Sequence, residues 1–135
     1  MLNLLLIDDD EELCMELKEV LEVEGFKIEI ALDGMQGLRC MKERQFQIVI
    51  LDLKLPGING YEILKVIKNT AKRVKVIVLS GRPLGDPLLK ENGVSQDDEE
   101  KSLNLADLVI NKPFMVDKFI QKIKVLALSI VEKGQ

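Results

Sequence analysis

Acidic, hydroxyl and amino side chains in this sequence follow directly after short apolar runs. The run at 4–7 leads into Asp8 and Asp9, the run at 48–51 into Asp52, the run at 76–79 into Ser80, and the segment at 108–111 into Lys112. A carboxylate can attack phosphorus, paired carboxylates can bind a divalent cation, and a hydroxyl or an ammonium can contact phosphoryl oxygens. If these side chains converge in the folded chain, they could support phosphoryl transfer.

The apolar runs alternate with segments of helical periodicity, which predicts parallel strands joined by helices. We therefore predict an α/β fold with a doubly wound, five-stranded parallel sheet and helices on both faces. The predicted strands lie at 4–7, 27–31, 48–51, 76–79 and 108–111. A helix is predicted at about 34–43, and three more are indicated by apolar residues at helical spacing within 13–21, 63–67 and 116–130. Gly25 should stop the first helix, and the alternating strand at 27–31 should lie at an edge of the sheet. Ligands of such sheets bind at the carboxyl ends of the strands, so the polar residues should meet there.

The composition excludes several functions. The 135-residue chain is of single-domain size, and it contains no histidine, which excludes a Ser-His-Asp triad, a phosphohistidine donor and the common zinc sites. The formal net charge is −4 and no basic stripe is present, which argues against direct binding of nucleic acid. Without an apolar stretch long enough to span a bilayer or a signal peptide, the protein is expected in the cytoplasm. Cys14 and Cys40 are interpreted as buried thiols without a chemical role.

The acidic triplet Asp8-Asp9-Asp10 has two interpretations. It could be a solvated turn that caps the first predicted helix. Alternatively, it could form a cation site, because a bound divalent cation removes the repulsion between adjacent carboxylates. Asp52 follows a wholly apolar strand that should end opposite the triplet. This combination favours the cation site, with Mg²⁺ as the expected ion.

Lys112 and Ser80 would complete such a site. An ammonium beside three carboxylates can hold them together and then pair with a phosphoryl oxygen. Pro113 permits a cis peptide bond that would turn the chain sharply at this point. Ser80 could be a hydroxyl at the edge of the core, but at this strand end it is a candidate hydrogen-bond donor to a phosphoryl group.

Four segments together resemble the receiver domain of two-component response regulators, a flavodoxin-like family. They are Leu-Leu-Leu-Ile-Asp-Asp-Asp at 4–10, Ile-Leu-Asp-Leu-Lys-Leu-Pro-Gly-Ile-Asn-Gly at 50–60, Val-Leu-Ser-Gly at 78–81 and Lys-Pro-Phe at 112–114. The resemblance covers essentially the whole chain, so the expected organisation is a single receiver domain over 1–135. It implies that Asp52 is the phosphoacceptor. It also implies that Asp8, Asp9, Asp52 and the backbone carbonyl of Lys54 bind Mg²⁺.

The same resemblance implies that Ser80 and Lys112 contact the phosphoryl group. The phosphodonor would be a sensor histidine kinase or a histidine phosphotransfer protein, and an unidentified protein would read the conformational change. Such a module promotes its own phosphorylation and dephosphorylation and is not otherwise an enzyme. We expect a monomer without a membrane or direct nucleic-acid partner.

Two departures from the family pattern concern signalling. Val109 stands where receivers often have an aromatic residue whose rotation follows phosphorylation. The segment at about 81–105, predicted to be a loop followed by a helix at about 96–103, is longer than is usual in the family.

Three other functions were weighed. A phosphatase of the haloacid dehalogenase kind needs an acid two positions after its nucleophile, where this chain has Lys54. A flavodoxin-like cofactor binder would not place acids where phosphate must bind. A receiver-like interaction module that is not regulated by phosphorylation fits the fold but leaves the acids and the lysine unexplained.

Overall fold

A five-stranded sheet forms the centre of the protein. A computed structural model describes residues 2–55, 59–81 and 103–133. The strands are β1 (Asn3–Ile7), β2 (Lys27–Ala31), β3 (Ile48–Asp52), β4 (Lys75–Ser80) and β5 (Leu108–Asn111), in the spatial order β2-β1-β3-β4-β5. Every neighbouring pair is parallel. The predicted sheet and the position of β2 at its edge are therefore confirmed.

Helices cover both faces of this sheet, as the doubly wound prediction requires. They are α1 (Glu11–Val23), α2 (Gly34–Glu43), α3 (Gly60–Thr70) and α4 (Val116–Lys133). The core on one face is built with α1 and α4, and the core on the other face with α2 and α3. Along β1, Leu4 and Leu6 belong to the first core whereas Leu5 and Ile7 belong to the second. Because both faces are buried, the central strands read as unbroken apolar runs.

Short polar side chains set the starts of three helices. Asp10 accepts a hydrogen bond from the amide of Leu13, Asp33 caps α2, and Asn59 caps α3. Each bond satisfies an amide that has no partner within its own helix. Gly25 follows α1 with a φ of 98°, which confirms the predicted stop.

A charged cluster ties β4 and β5 together at the end of the sheet where these strands begin. The Asp107 carboxylate accepts hydrogen bonds from Lys68 Nζ at 2.6 Å and from the amide of Val76 at 2.8 Å. Lys75 Nζ lies 3.7 Å from the same carboxylate, and the amide of Asp107 donates to the carbonyl of Val76. The cluster links the last turn of α3 to both strands. Sequence analysis assigned no role to Asp107.

Some predictions concern residues beyond those described. The helix at about 96–103 and the loop before it lie outside the described residues, apart from Gly81 and Leu103 at the two ends. The turn predicted at Pro56-Gly57 is also outside them. The single-domain extent over 1–135 stays a prediction. Among the residues described, no helix is long and apolar enough to cross a membrane.

Candidate functional site

The structure divides the acidic triplet between two roles. Asp8 follows β1, its amide donates to the carbonyl of Ala31, and its side chain is fully buried. One carboxylate oxygen, Oδ1, accepts a hydrogen bond from the amide of Asp10 at 3.0 Å. Asp10 itself caps α1, whereas Asp9 remains exposed. The capping interpretation is therefore confirmed for Asp10, whereas cation binding by Asp8 and Asp9 stays a prediction.

Asp52 ends β3, the strand at the centre of the sheet. Its side chain is almost completely buried, and its Oδ1 accepts a hydrogen bond from the amide of Lys54 at 3.0 Å. Carboxylate oxygens of Asp8, Asp9 and Asp52 all lie within 4.8 Å of one another. Oxygen ligands at this spacing suit a hard divalent cation such as Mg²⁺. The predicted acidic cluster is therefore assembled by the fold.

Lys112 joins the two buried carboxylates. Its Nζ lies 2.8 Å from Asp8 Oδ2 and 3.4 Å from Asp52 Oδ2. The lysine follows β5, its amide donates to the carbonyl of Ser80, and the bond to Pro113 is cis, as anticipated. The predicted convergence of the β1, β3 and β5 ends is therefore confirmed.

The charges in this cluster influence one another's protonation. Burial raises the pKa of Asp52, and the neighbouring charge of Asp8 adds to the rise, although the amide of Lys54 and the ammonium of Lys112 oppose it. Burial by itself would lower the pKa of Lys112. The hydrogen bond to Asp8 and the charge of Asp52 outweigh burial, so the pKa of Lys112 is raised. The site therefore holds a protonated lysine against the Asp52 carboxylate, which burial makes costly to keep ionised.

Ser80 occupies the corresponding end of β4. It is almost completely buried, and it lies opposite Asn111 in the pairing of β4 with β5. The hydrogen bond from the amide of Lys112 to the carbonyl of Ser80 joins these two predicted site residues through their backbones. Val109, two residues before Asn111, is partly buried in the core formed with α2 and α3. It contributes an aliphatic side chain there.

Two residues that sequence analysis did not place in the site contact the backbone of Asp8 or of the residue after Asp52. The Cys14 thiol is fully buried and donates a hydrogen bond to the carbonyl of Asp8, with Sγ and O 3.4 Å apart. Burial, together with the nearby charge of Asp8, raises the pKa of Cys14 to about 12, so the thiol is unreactive. The interpretation of Cys14 as a buried thiol is confirmed, whereas Cys40 is only partly buried.

Gly60 is the second such residue. An ideal Cβ at this position would lie 2.5 Å from the carbonyl oxygen and 2.6 Å from the Cα of Leu53, the residue after Asp52. Only glycine lets the start of α3 approach the backbone this closely. The sequence indicated a turn at this glycine, but it did not indicate the contact with Leu53.

Chemically, the described residues combine the buried Asp52 carboxylate, two further acids that can share a cation, and an ammonium, all at the carboxyl ends of β1, β3 and β5. A carboxylate nucleophile beside cationic groups that can neutralise phosphoryl oxygens is the arrangement that phosphoryl transfer to aspartate requires.

Comparisons with known proteins define the class. Residues 4–124 match the response regulator receiver domain family, so the chain belongs to that family and is a receiver domain of the two-component type. The transcriptional regulatory protein CpxR homolog of Haemophilus influenzae is 35% identical over 126 residues, which cover 93% of this chain and 50% of that protein. The chain spans about half the length of the curated relatives it matches.

Solved structures agree with this assignment. A CheY-like response regulator receiver domain protein from Methanospirillum hungatei superposes with a TM-score of 0.83 at 29% identity, covering 100% of this chain and 99% of that one. The response regulator TrrA from Thermotoga maritima, in complex with Mg²⁺-BeF, superposes with a TM-score of 0.76 at 30% identity, covering 93% and 99%.

Proposed function

We propose that this receiver accepts a phosphoryl group on Asp52. The observation that carries the proposal is the position of this carboxylate: it is buried at the end of the central strand, 3.4 Å from the Lys112 ammonium and within reach of two more acids. Burying a carboxylate costs free energy that a solvated or capping acid does not pay, and buried acids with a raised pKa cluster at functional sites.

In the proposed reaction an oxygen of Asp52 forms a bond to phosphorus, and the bond from phosphorus to the donor's leaving group breaks. The electron pair of that bond departs with the donor. Lys112 then shifts from its carboxylate partners toward an oxygen of the new acyl phosphate, and Ser80 donates a hydrogen bond to another. Both residues stabilise charge on the transferred group, which is where catalysis of phosphoryl transfer largely resides.

Asp8, Asp9 and Asp52, with the backbone carbonyl of Lys54, are the proposed ligands of Mg²⁺. The donor set fits this ion because it consists of clustered carboxylate oxygens. When bound, Mg²⁺ would neutralise charge on the phosphoryl oxygens. The same ion would offset the repulsion among the three carboxylates.

The proposed phosphodonor is a sensor histidine kinase or a histidine phosphotransfer protein, because the chain belongs to the receiver family of two-component systems. The relative TrrA has been crystallised in complex with the histidine kinase ThkA. This donor class implies a cytoplasmic location. The proposed output is a conformational change in a monomer, read by a partner protein. Hydrogen exchange in residues 81–105 should change on phosphorylation, and strong dimerisation would contradict a monomeric output.

Phosphorylation is tested by incubating the protein with Mg²⁺ and a small acyl phosphate and measuring its intact mass. We expect one added phosphoryl group in the wild type and in Asp10→Asn, a matched control that keeps the helix cap. We expect none in Asp52→Asn. If the mass shift persists in Asp52→Asn, the assignment of the phosphoacceptor is wrong.

Metal binding is tested separately by thermal unfolding with Mg²⁺ or EDTA. A ligand that binds the folded state stabilises it by mass action, so Mg²⁺ at millimolar concentration should raise the melting temperature of the wild type and of Asp10→Asn. The increase should be lost in Asp9→Ala. An equal increase in Asp9→Ala would contradict the proposed ligands.

A further inference from the structure

A cavity lies at the opposite end of the sheet from Asp52. It has a volume of about 520 Å³ and lies between two connections, one from α2 to β3 and the other from α3 to β4. These connections precede the first residues of β3 and β4, whereas Asp52 is the last residue of β3. A ligand in this cavity would therefore not compete with the phosphorylation site. We call it the basic cavity.

Among the residues that the structure describes, the charged side chains lining the basic cavity are all positive. Arg44 comes from the end of α2, and Lys72 and Arg73 come from the connection after α3. No described carboxylate lines the cavity. One guanidinium nitrogen of Arg44 forms an ion pair with Glu29. Lys72 and Arg73 are exposed and form no ion pair with any residue that the structure describes. Three cations meet here in a chain whose net charge is −4.

Gln47 adds a donor whose orientation is determined by the backbone. Its Oε1 accepts a hydrogen bond from the amide of Asn3 at 2.7 Å. The side-chain oxygen is thereby occupied, and the amide nitrogen is left to donate. The guanidinium and ammonium groups of the cavity can also only donate. The charged groups and Gln47 therefore favour a ligand that is anionic and rich in acceptors.

Apolar side chains complete the lining. Phe46 and Val74 are buried and Met41 is partly buried, so they offer the cavity a hydrophobic wall next to the cations. A bare phosphate ion would leave this wall without a partner. The volume lies within the roughly 300–1,000 Å³ of small-molecule sites. Arginine also recognises phosphate in a bidentate manner that a lysine cannot reproduce.

We propose that the basic cavity binds a nucleotide, with the phosphates near Arg73, Lys72 and Arg44 and the base against the apolar wall. The alternative, an acidic peptide, would need a longer contact surface than the two short connections offer. Nucleotide binding would give this receiver a second input that is independent of phosphorylation at Asp52.

The proposal is tested by isothermal titration calorimetry of the full chain with ATP and with GTP, in EDTA so that no metal complex forms at the acidic cluster. At least one nucleotide should bind with a saturable isotherm. Tripolyphosphate and adenosine, which supply the charge and the base separately, should each bind more weakly than the nucleotide. A hexaglutamate peptide is titrated as the competing ligand.

Arg73→Glu should weaken the binding by roughly tenfold or more, because it replaces a charge-assisted donor with a repelling acid. Lys72→Glu should weaken it as well. Arg39→Glu is the matched control, since Arg39 is an exposed arginine of α2 outside the cavity, and it should bind like the wild type. All three positions are exposed, so unchanged melting temperatures verify that the variants fold.

Four results would overturn the proposal. They are the absence of binding by both nucleotides, equally tight binding of tripolyphosphate, an equal loss in Arg39→Glu, and tighter binding of the hexaglutamate peptide through Arg73. None of these results bears on Asp52, whose phosphorylation is measured separately by mass.

Discussion

Replacing Lys112 with methionine removes the ammonium from between two buried carboxylates and keeps an aliphatic side chain of similar length. The ammonium lies 2.8 Å from Asp8 and 3.4 Å from Asp52. Removing one partner of a fully buried ion pair costs about 3–5 kcal/mol. The Lys112 side chain is 23% exposed, however. Because water screens part of the interaction, we expect Lys112→Met to lower the free energy of unfolding by about 2 kcal/mol in EDTA.

Asp52→Asn should act in the opposite direction. The raised pKa of Asp52 means that the folded state holds this proton more tightly than the unfolded chain does. The ionised carboxylate therefore costs folding free energy at pH values above its folded pKa, and the cost disappears as the pH falls through that pKa. At pH 7 the asparagine should be neutral or stabilising by up to about 1 kcal/mol.

The double variant separates these contributions. With asparagine at position 52, the carboxylate of Asp8 no longer faces a second charge when the ammonium is removed. Lys112→Met should then cost only about 1 kcal/mol, a coupling of about 1 kcal/mol between the two sites. Urea unfolding of the four proteins in EDTA at pH 7 measures this coupling, with Lys118→Met as the exposed control. Losses that add to within about 0.3 kcal/mol would refute a shared electrostatic site.

Other parts of the structure predict further outcomes. Gly60→Ala should lower the free energy of unfolding by about 1–3 kcal/mol and slow phosphorylation, because its Cβ would meet the backbone of Leu53. In Gly37→Ala the Cβ would meet the side chain of Ile7, which can adjust more easily than backbone, and alanine favours the helix, so the loss should be smaller. Urea unfolding compares the two variants. Asp107→Asn keeps an acceptor for the amide of Val76 but removes the charge that faces Lys68 and Lys75. The free energy of unfolding should fall by about 1 kcal/mol. An unchanged midpoint of urea unfolding would contradict this prediction. After brief alkylation at pH 8, peptide mapping should find Cys40 modified before Cys14. The pKa of about 12 leaves Cys14 with almost no thiolate at this pH. The reverse order would contradict the burial of Cys14.

Most of the fold follows from local pattern. The apolar runs that became β1, β3 and β4 are unbroken because both faces of a central parallel strand are buried, and the alternating run that became β2 indicated an edge. The convergence of Asp8, Asp52 and Lys112 followed from the same pattern, since parallel strands end at one edge of the sheet.

The roles of individual acidic residues were decided by tertiary structure and not by their neighbours in the sequence. The triplet at 8–10 consists of three identical residues, yet the end of β1 buries Asp8 and the start of α1 uses Asp10 as its cap. Side-chain type does not encode that division, because it depends on where the strand stops and the helix begins. Asp107 likewise gains its lysine partners from α3 and β4, and Lys68 lies 39 positions before it.

The basic cavity and the close approach at Gly60 depend on the fold in the same way. Arg44 and Arg73 are far apart in the chain and become neighbours only because β3 pairs with β4, which brings the two preceding connections together. Gly60 is required because Leu53 lies against the first residue of α3. Periodicity reports which face of an element is buried, but distances between elements are set by packing, and packing exists only in the folded chain.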